Sequence, residues 1–201
     1  MNWLLEGLPG SVTVDGAEFN VNVGFRAFFL VDQIMRDDVL TDYDRVDQAL
    51  DIFYNGNVPK NREAAMGAFL RFQRGNEPER KAGKSRKKRR ALDYAKDCGL
   101  IYSAFLQTYR IDLTKDNIHW WTFLALLQSL PEDCQLCKVM YYRTADLAGV
   151  SKSYRRHIVK MRAMYELKDD AEIDDRVRLA ERNRKWMKYV EARVKEGEHG
   201  G

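Results

Sequence analysis

The chain has 201 residues, 45% of them apolar and 32% charged, with 13 glycines and 4 prolines; this fits one mid-sized domain, or one domain with an appendage, and excludes a disordered, collagen-like or low-complexity protein. The net charge of +4 is local: Arg80, Lys81, Lys84, Arg86, Lys87, Lys88, Arg89 and Arg90 form one acid-free run, and without them 26 basic residues face 30 acidic ones, a net of −4. The longest near-apolar stretch, Trp120 to Leu127, is far short of the ~20 residues a bilayer requires, the N-terminus does not read as a signal peptide, and three cysteines fit a reducing cytoplasm.

Val12 to Val14 and Glu18 to Val23 alternate in polarity around Asp15-Gly16, which predicts a β-hairpin in the first 24 residues. The period then changes. Ala27, Leu30, Val31 and Ile34 mark one helical face, Val46, Ala49, Leu50 and Phe53 a second, and Ala65, Ala68, Phe69 and Phe72 a third. Thr41 with Asp44 reads as a helix start, Asn55-Gly56 as a stop, and Asn76-Glu77-Pro78 as a break. From Ala91 a longer helix is expected to bury Tyr94, Cys98, Ile101, Tyr102, Phe105 and Tyr109, ending near Arg110. The next, about Asp116 to Ser129, is apolar around most of its circumference and belongs in the core.

Pro131, followed by Glu132 and Asp133, reads as the opening of a further helix, and another is expected from Lys152 to Leu167. Residues 168–201 predict a charged, narrowly amphipathic helix and a mobile tail. The fold class is therefore mainly α: a helical domain over 25–167 carrying a basic loop at 80–90, with the hairpin before it and the charged helix after it.

The chemical motifs are thin. Gly83-Lys84-Ser85 ends like a phosphate-binding loop, but position 78 is Pro where that loop needs Gly. Cys134-x-x-Cys137 is half a zinc site without a matching half, so the two thiols read as buried apolar residues, and His119 as a hydrogen-bonded helix residue. Residues 144–151 resemble the turn of a helix-turn-helix, yet Arg155 and Arg156 stand where an apolar residue should point inward. The basic run, including Arg86, Lys87, Lys88, Arg89 and Arg90, has the charge to touch nucleic acid but no aromatic residue to stack bases, and reads better as a solvated loop. No nucleophile with its base, no carboxylate pair in a pocket sequence and no glycine-rich cofactor turn is present, so the expectation is a non-enzyme without cofactor or metal.

One stretch carries a resemblance. Leu92-Asp93-Tyr94-Ala95-Lys96-Asp97, Ile101 to Phe105, Tyr109 to Leu113, His119-Trp120-Trp121-Thr122-Phe123 and Leu130-Pro131-Glu132-Asp133, continuing through Met140 to Arg143 and Met161 to Tyr165, is similar to the bacteriophage "gene product fifteen" family. The resemblance covers positions 88 to 167, fits the first 75 residues more loosely, and leaves the chain past Leu167 without a family pattern.

It implies a tail-region protein of long, non-contractile-tailed phages, encoded where tail assembly chaperones lie. Such a protein would bind and solubilise the tape-measure protein in the host cell cytoplasm and be absent from the mature virion. Self-association and a co-chaperone would suit the role, whereas nucleic acid and membrane are not expected partners. A structural component of the tail or tail tip is the close alternative, and a DNA-binding regulator using the basic loop or residues 144–158 the distant one. Trp3, Trp120, Trp121 and Trp186 are the candidate anchors for the partner, with core burial competing for Trp120 and Trp121.

Overall fold

A computed structural model describes residues 3–75 and 89–167, which contain eight helices and one two-stranded antiparallel sheet. The fold is mainly α, as the periodicity predicts. The expected helix over 169–196 and most of the basic run lie outside the described residues. Two compact units are present, one holding described residues 3–75 and 92–138, the other 89–91 and 139–167.

The first unit opens with α1 (Trp3–Glu6) and the expected hairpin, β1 (Ser11–Val14) and β2 (Ala17–Asn20), in register Val12 to Phe19 and Val14 to Ala17. Its turn residues, Asp15 and Gly16, have φ of 49° and 81°, the twist that a two-residue hairpin loop demands and that Asp and Gly tolerate best. The chain then runs past the end of α3 (Asp42–Phe53), where the Asn22 N–H donates to the Phe53 carbonyl at 2.7 Å.

Residues 23–25 next pair with 118–120. Trp120 N–H donates to the Val23 carbonyl at 2.6 Å and Phe25 N–H to the Ile118 carbonyl at 3.0 Å, an antiparallel bridge centred on Gly24 and His119. A Cβ on Gly24 would come within 2.4 Å of the Asn117 side chain, so the close approach favours glycine there. The bridge lies at the start of both α2 (Phe25–Ile34) and α6 (Trp120–Gln128). It explains why α6 begins at Trp120 and not near Asp116: residues 118 and 119 are extended to make the pairing.

The aromatic core follows from that placement. Phe28 lies parallel to Trp120 at 4.5 Å and within 6.2 Å of Phe53, Phe69 and Phe72, so α2, α3, α6 and α4 (Arg62–Gln73) meet around one ring. Phe123 stacks on Phe25 at 5.3 Å and on Phe105 of α5 (Cys98–Tyr109) at 4.9 Å. The buried face of α2 is consequently Phe25, Phe28 and Val31, and Leu30, assigned to the core by spacing, is 46% exposed. The faces expected for α3 and α4 hold, apart from a half-buried Val46, and so do the local signals of α3: Thr41 and Asp44 form a capping box, and Asn55-Gly56 follows the end of the helix with positive φ, while α4 is capped by Asn61, which accepts from Ala64 N–H.

Two helix starts differ from expectation for a local reason. Asp93 Oδ1 accepts from the N–H groups of Ala95 and Lys96, and Asp97 Oδ2 from Asp93 N–H, so these buried carboxylates fold residues 93–97 into turns and delay α5 to Cys98. Cys98 itself is exposed, and the buried face is Ile101, Ala104 and Phe105. Pro131 likewise sits in a turn, its carbonyl accepting from Cys134 N–H at 3.0 Å, and α7 (Gln135–Thr144) begins four residues later.

In the second unit the later part of α7 and α8 (Lys152–Tyr165) bury Val139, Ile158 and Leu167. Arg143 is 5% exposed and satisfied by backbone: Nε donates to the Tyr165 carbonyl at 2.7 Å and Nη1 to the Ala91 carbonyl at 3.0 Å. It therefore ties residues 89–91 to the end of α8.

The core assignment predicts that Phe28→Ala costs about 3–5 kcal/mol in urea unfolding while Leu30→Ala stays within about 0.5 kcal/mol of the parent. Equal losses would restore the face read from spacing.

Candidate partner-docking groove

The tryptophans expected to anchor a partner are placed otherwise. Trp120 and Trp121 are 2% and 7% exposed, and their indole N–H groups donate at 2.8 Å to the carbonyls of Gln73 and Phe72. Those carbonyls belong to the last turn of α4, which a helix leaves without internal partners. Both side chains are thus core residues that cap a neighbouring helix, a correction to their reading as surface anchors. Trp3 is half-buried near Trp121, Leu124 and Arg74, and Trp186 lies outside the described residues.

The basic candidates divide similarly. Arg86, Lys87 and Lys88 lie outside the described residues, and Arg90 is half-buried. Arg89 is half-buried too and paired with Glu166 at 2.8 Å, which corrects its place in a solvated loop and leaves its charge already matched. The segment resembling a helix-turn-helix joins α7 and α8 through residues 145–151, longer than the roughly 3–4 residues of that motif, with Gly149 at φ 74°. Arg155 donates to the Leu147 carbonyl at 2.7 Å, and Arg162 to the carbonyls of Tyr142 and Ala145, so these cations close the loop.

His119 has a defined structural duty. Its Nε2 lies 3.0 Å from the Pro9 carbonyl, which can only accept, so Nε2 carries the proton and Nδ1 is left to accept from Trp121 N–H at 3.0 Å as the cap of α6. Burial pulls the pKa of the ring below the usual histidine range, against the Pro9 carbonyl, which favours the protonated form. Cys134 and Cys137 are half-buried free thiols. Burial, then the Cys134 thiol and the nearby Glu132 and Asp133, push the Cys137 thiol up to about 11, which favours its protonated form at neutral pH. Among the described residues no three His, Cys, Asp or Glu side chains gather as a metal would need.

One of the concave surfaces is a largely apolar groove of about 340 Å³ between α2 and α5, lined by Phe25, Phe29, Ile101, Tyr102 and Leu113, with Arg26, Cys98, Gly99 and Thr114 among its remaining lining residues. Arg26 Nη2 donates to the carbonyls of Leu113 and Thr114 at 3.0 and 2.8 Å, which fixes the 113–114 segment as one wall and sets a positive charge beside an apolar floor. The lining is thus mainly apolar, with one oriented charge. Spacing arguments missed it because its walls come from residues 25–29, 98–102 and 113–114, and no local signal links them.

A family model described as Bacteriophage Gp15 protein matches residues 4–167. No curated protein and no solved structure matches the chain. The matched span ends at Leu167, where the residues similar to the family also end.

The capping role of His119 has a pH signature. Because its folded pKa lies below the unfolded value near 6.5, the unfolded chain takes up the proton first; the contribution to stability is full above about pH 6.5 and is lost as pH falls through the folded pKa. His119→Asn keeps a side-chain acceptor without that titration. Urea unfolding at pH 7.5 and 5.0 should show a larger acid loss for the parent than for His119→Asn, and equal losses would remove the cap from the account.

Proposed function

The chain belongs to the family described as Bacteriophage Gp15 protein, and from that premise we propose that it is a tail assembly chaperone that binds and solubilises the tape-measure protein. The observation that carries this reading is the apolar groove between α2 and α5. A long amphipathic helix aggregates through its apolar stripe unless another surface covers it, and a groove of this size accepts side chains spaced i, i+3 or i+4 along such a helix.

Each seated side chain contributes about 1.5–3 kcal/mol of transfer free energy, most of it offset by the cost of association. One site is therefore weak. Many copies along a repeating helix hold it by avidity, and weak individual contacts let them leave as tube subunits polymerise around it. On this reading the protein has no catalytic step and needs no cofactor. It works in the cytoplasm of the infected cell and departs before the virion is complete. Described residues include no helix long and apolar enough to cross a membrane, and nucleic acid has no part in the mechanism.

Co-expression with the tape-measure protein of the same genome tests the reading. The tape measure should become soluble and be recovered with this chain, several copies per molecule, in about 0.5 M salt, where phosphate contacts are screened. Gly99, at the groove and with no atom within 4 Å of an added Cβ, gives a specific block: Gly99→Phe should leave the melting temperature intact and abolish recovery. An insoluble tape measure with this chain alone in the eluate would overturn the one-component chaperone. Stoichiometric amounts of the chain in purified virions would make it a structural tail component instead.

A further inference from the structure

The hairpin leaves one edge open. Val21 N–H donates to the Gly10 carbonyl, and with the register Val12 to Phe19 and Val14 to Ala17 this puts the hydrogen-bonded pairs of the ladder at residues 10, 12 and 14. Ser11 and Thr13 lie at the pairs between, so their N–H and C=O groups point away from β2, and β1 has no strand on that side among the described residues. No hydrogen bond within the described residues reaches those backbone groups. An unpaired edge of this kind is a template for one more strand.

A trough runs along that edge. Two concave surfaces, of about 310 and 460 Å³, both border β1 and share Thr13 and Arg71. The facing wall is α4, which presents Ala64, Gly67, Ala68 and Arg71 from one side of the helix. Gly67 stands in the interior of α4, where glycine weakens a helix, and its missing side chain widens the trough: a Cβ there would lie 3.4 Å from Arg71 Nη1.

The two ends of the trough differ in chemistry. Toward Ser11 it has an apolar seat of Pro9, Val12, Ala68, Phe72 and Trp121. Toward the turn it is lined by Asp15, Asn61 and Glu63, with Asp15 accepting from the Asn61 amide at 2.9 Å. Arg71, exposed and common to both ends, makes no ion pair among the described residues, and neither does Glu63.

We propose that this trough takes an extended segment of a partner protein as a third strand beside β1, a segment carrying an apolar, an acidic and a basic side chain at alternate positions. Its backbone pairs with Ser11 and Thr13. Alternate side chains of a strand share a face about 7 Å apart, so the apolar one seats near Phe72 and Trp121, the acid meets Arg71 and the base meets Glu63. A helix does not complement the edge, because its own N–H and C=O groups are bonded internally. A second copy fits poorly, since its β1 edge brings the same α4 wall with it. The trough shares no residue with the α2–α5 groove, so this site stands without the function proposed above.

Selection of random peptides of about ten residues on the immobilised full chain tests the proposal. Enriched peptides should carry an apolar and an acidic residue two apart, with a base two further on, and a synthetic copy of one should slow amide exchange at Ser11 and Thr13. Arg71→Glu should weaken that peptide at least about thirtyfold at an unchanged melting temperature, and replacing the peptide's acid by lysine should restore binding to this variant. Gly67→Leu should fill the trough and remove binding without lowering the melting temperature. N-methylation of the peptide amide facing Thr13 should abolish binding, whereas N-methylation one residue along should leave it. Gly99→Phe, in the other groove, should leave the affinity unchanged, which separates failure of this site from failure of the chaperone reading.

No enrichment, peptides indifferent to Arg71→Glu and Gly67→Leu, or equal effects of N-methylation at both positions would overturn the proposal. Protection of Ser11 and Thr13 without peptide would also overturn it. Protection that rises with protein concentration would give the trough to a second copy, and protection independent of concentration to this chain's own residues.

Discussion

The pairing of residues 23–25 with 118–120 is the constraint on which the first unit depends. Two backbone hydrogen bonds join segments more than ninety residues apart in the chain and set the starts of α2 and α6 side by side. Phe28 then falls on Trp120 and Phe25 on Phe123, and the remaining rings of α3, α4 and α5 complete the stack. The same placement brings the Trp120 and Trp121 indoles to the end of α4, so a single junction positions the core and satisfies carbonyls that the helix leaves open. Gly24 belongs to this junction because Asn117 occupies the space a side chain would take.

Residue types usually associated with chemistry serve here as fasteners. His119 caps a helix, Asp93 and Asp97 hold a turn, and Arg143 and Arg162 close backbone carbonyls. Each is matched to an immediate neighbour, which removes it from the pool of groups able to act on an outside molecule. The first unit also exposes apolar surface, the groove between α2 and α5 among it.

Legibility in the sequence followed the range of the interaction. The hairpin, the capping box at Thr41 and the buried faces of α3 and α4 rest on contacts within a few residues, and spacing shows them. The starts of α5 and α6 were misplaced because the Asp93–Asp97 turns and the bridge to Val23 outcompete helix extension, and only the first of these has a local cue, a pair of aspartates four apart. The face of α2 was misread because Leu30 fits the helical period as well as Phe28 does, and the choice between them is made by Trp120. The burial of both tryptophans depends on where α4 ends. The groove had no sequence signature at all, although the family was legible from the order of short aromatic motifs.

The tie made by Arg143 bears on what happens if the chain is cut. Residues before and after the 76–88 stretch are interleaved in the first unit, where α2, α3 and α4 share their aromatic rings with α5 and α6. In the second unit, residues 89–91 are bound to the end of α8 by Arg143 and by the Arg89–Glu166 pair. A single cleavage within 76–88 would consequently separate the chain covalently but not physically, and the two pieces should behave as complementing halves.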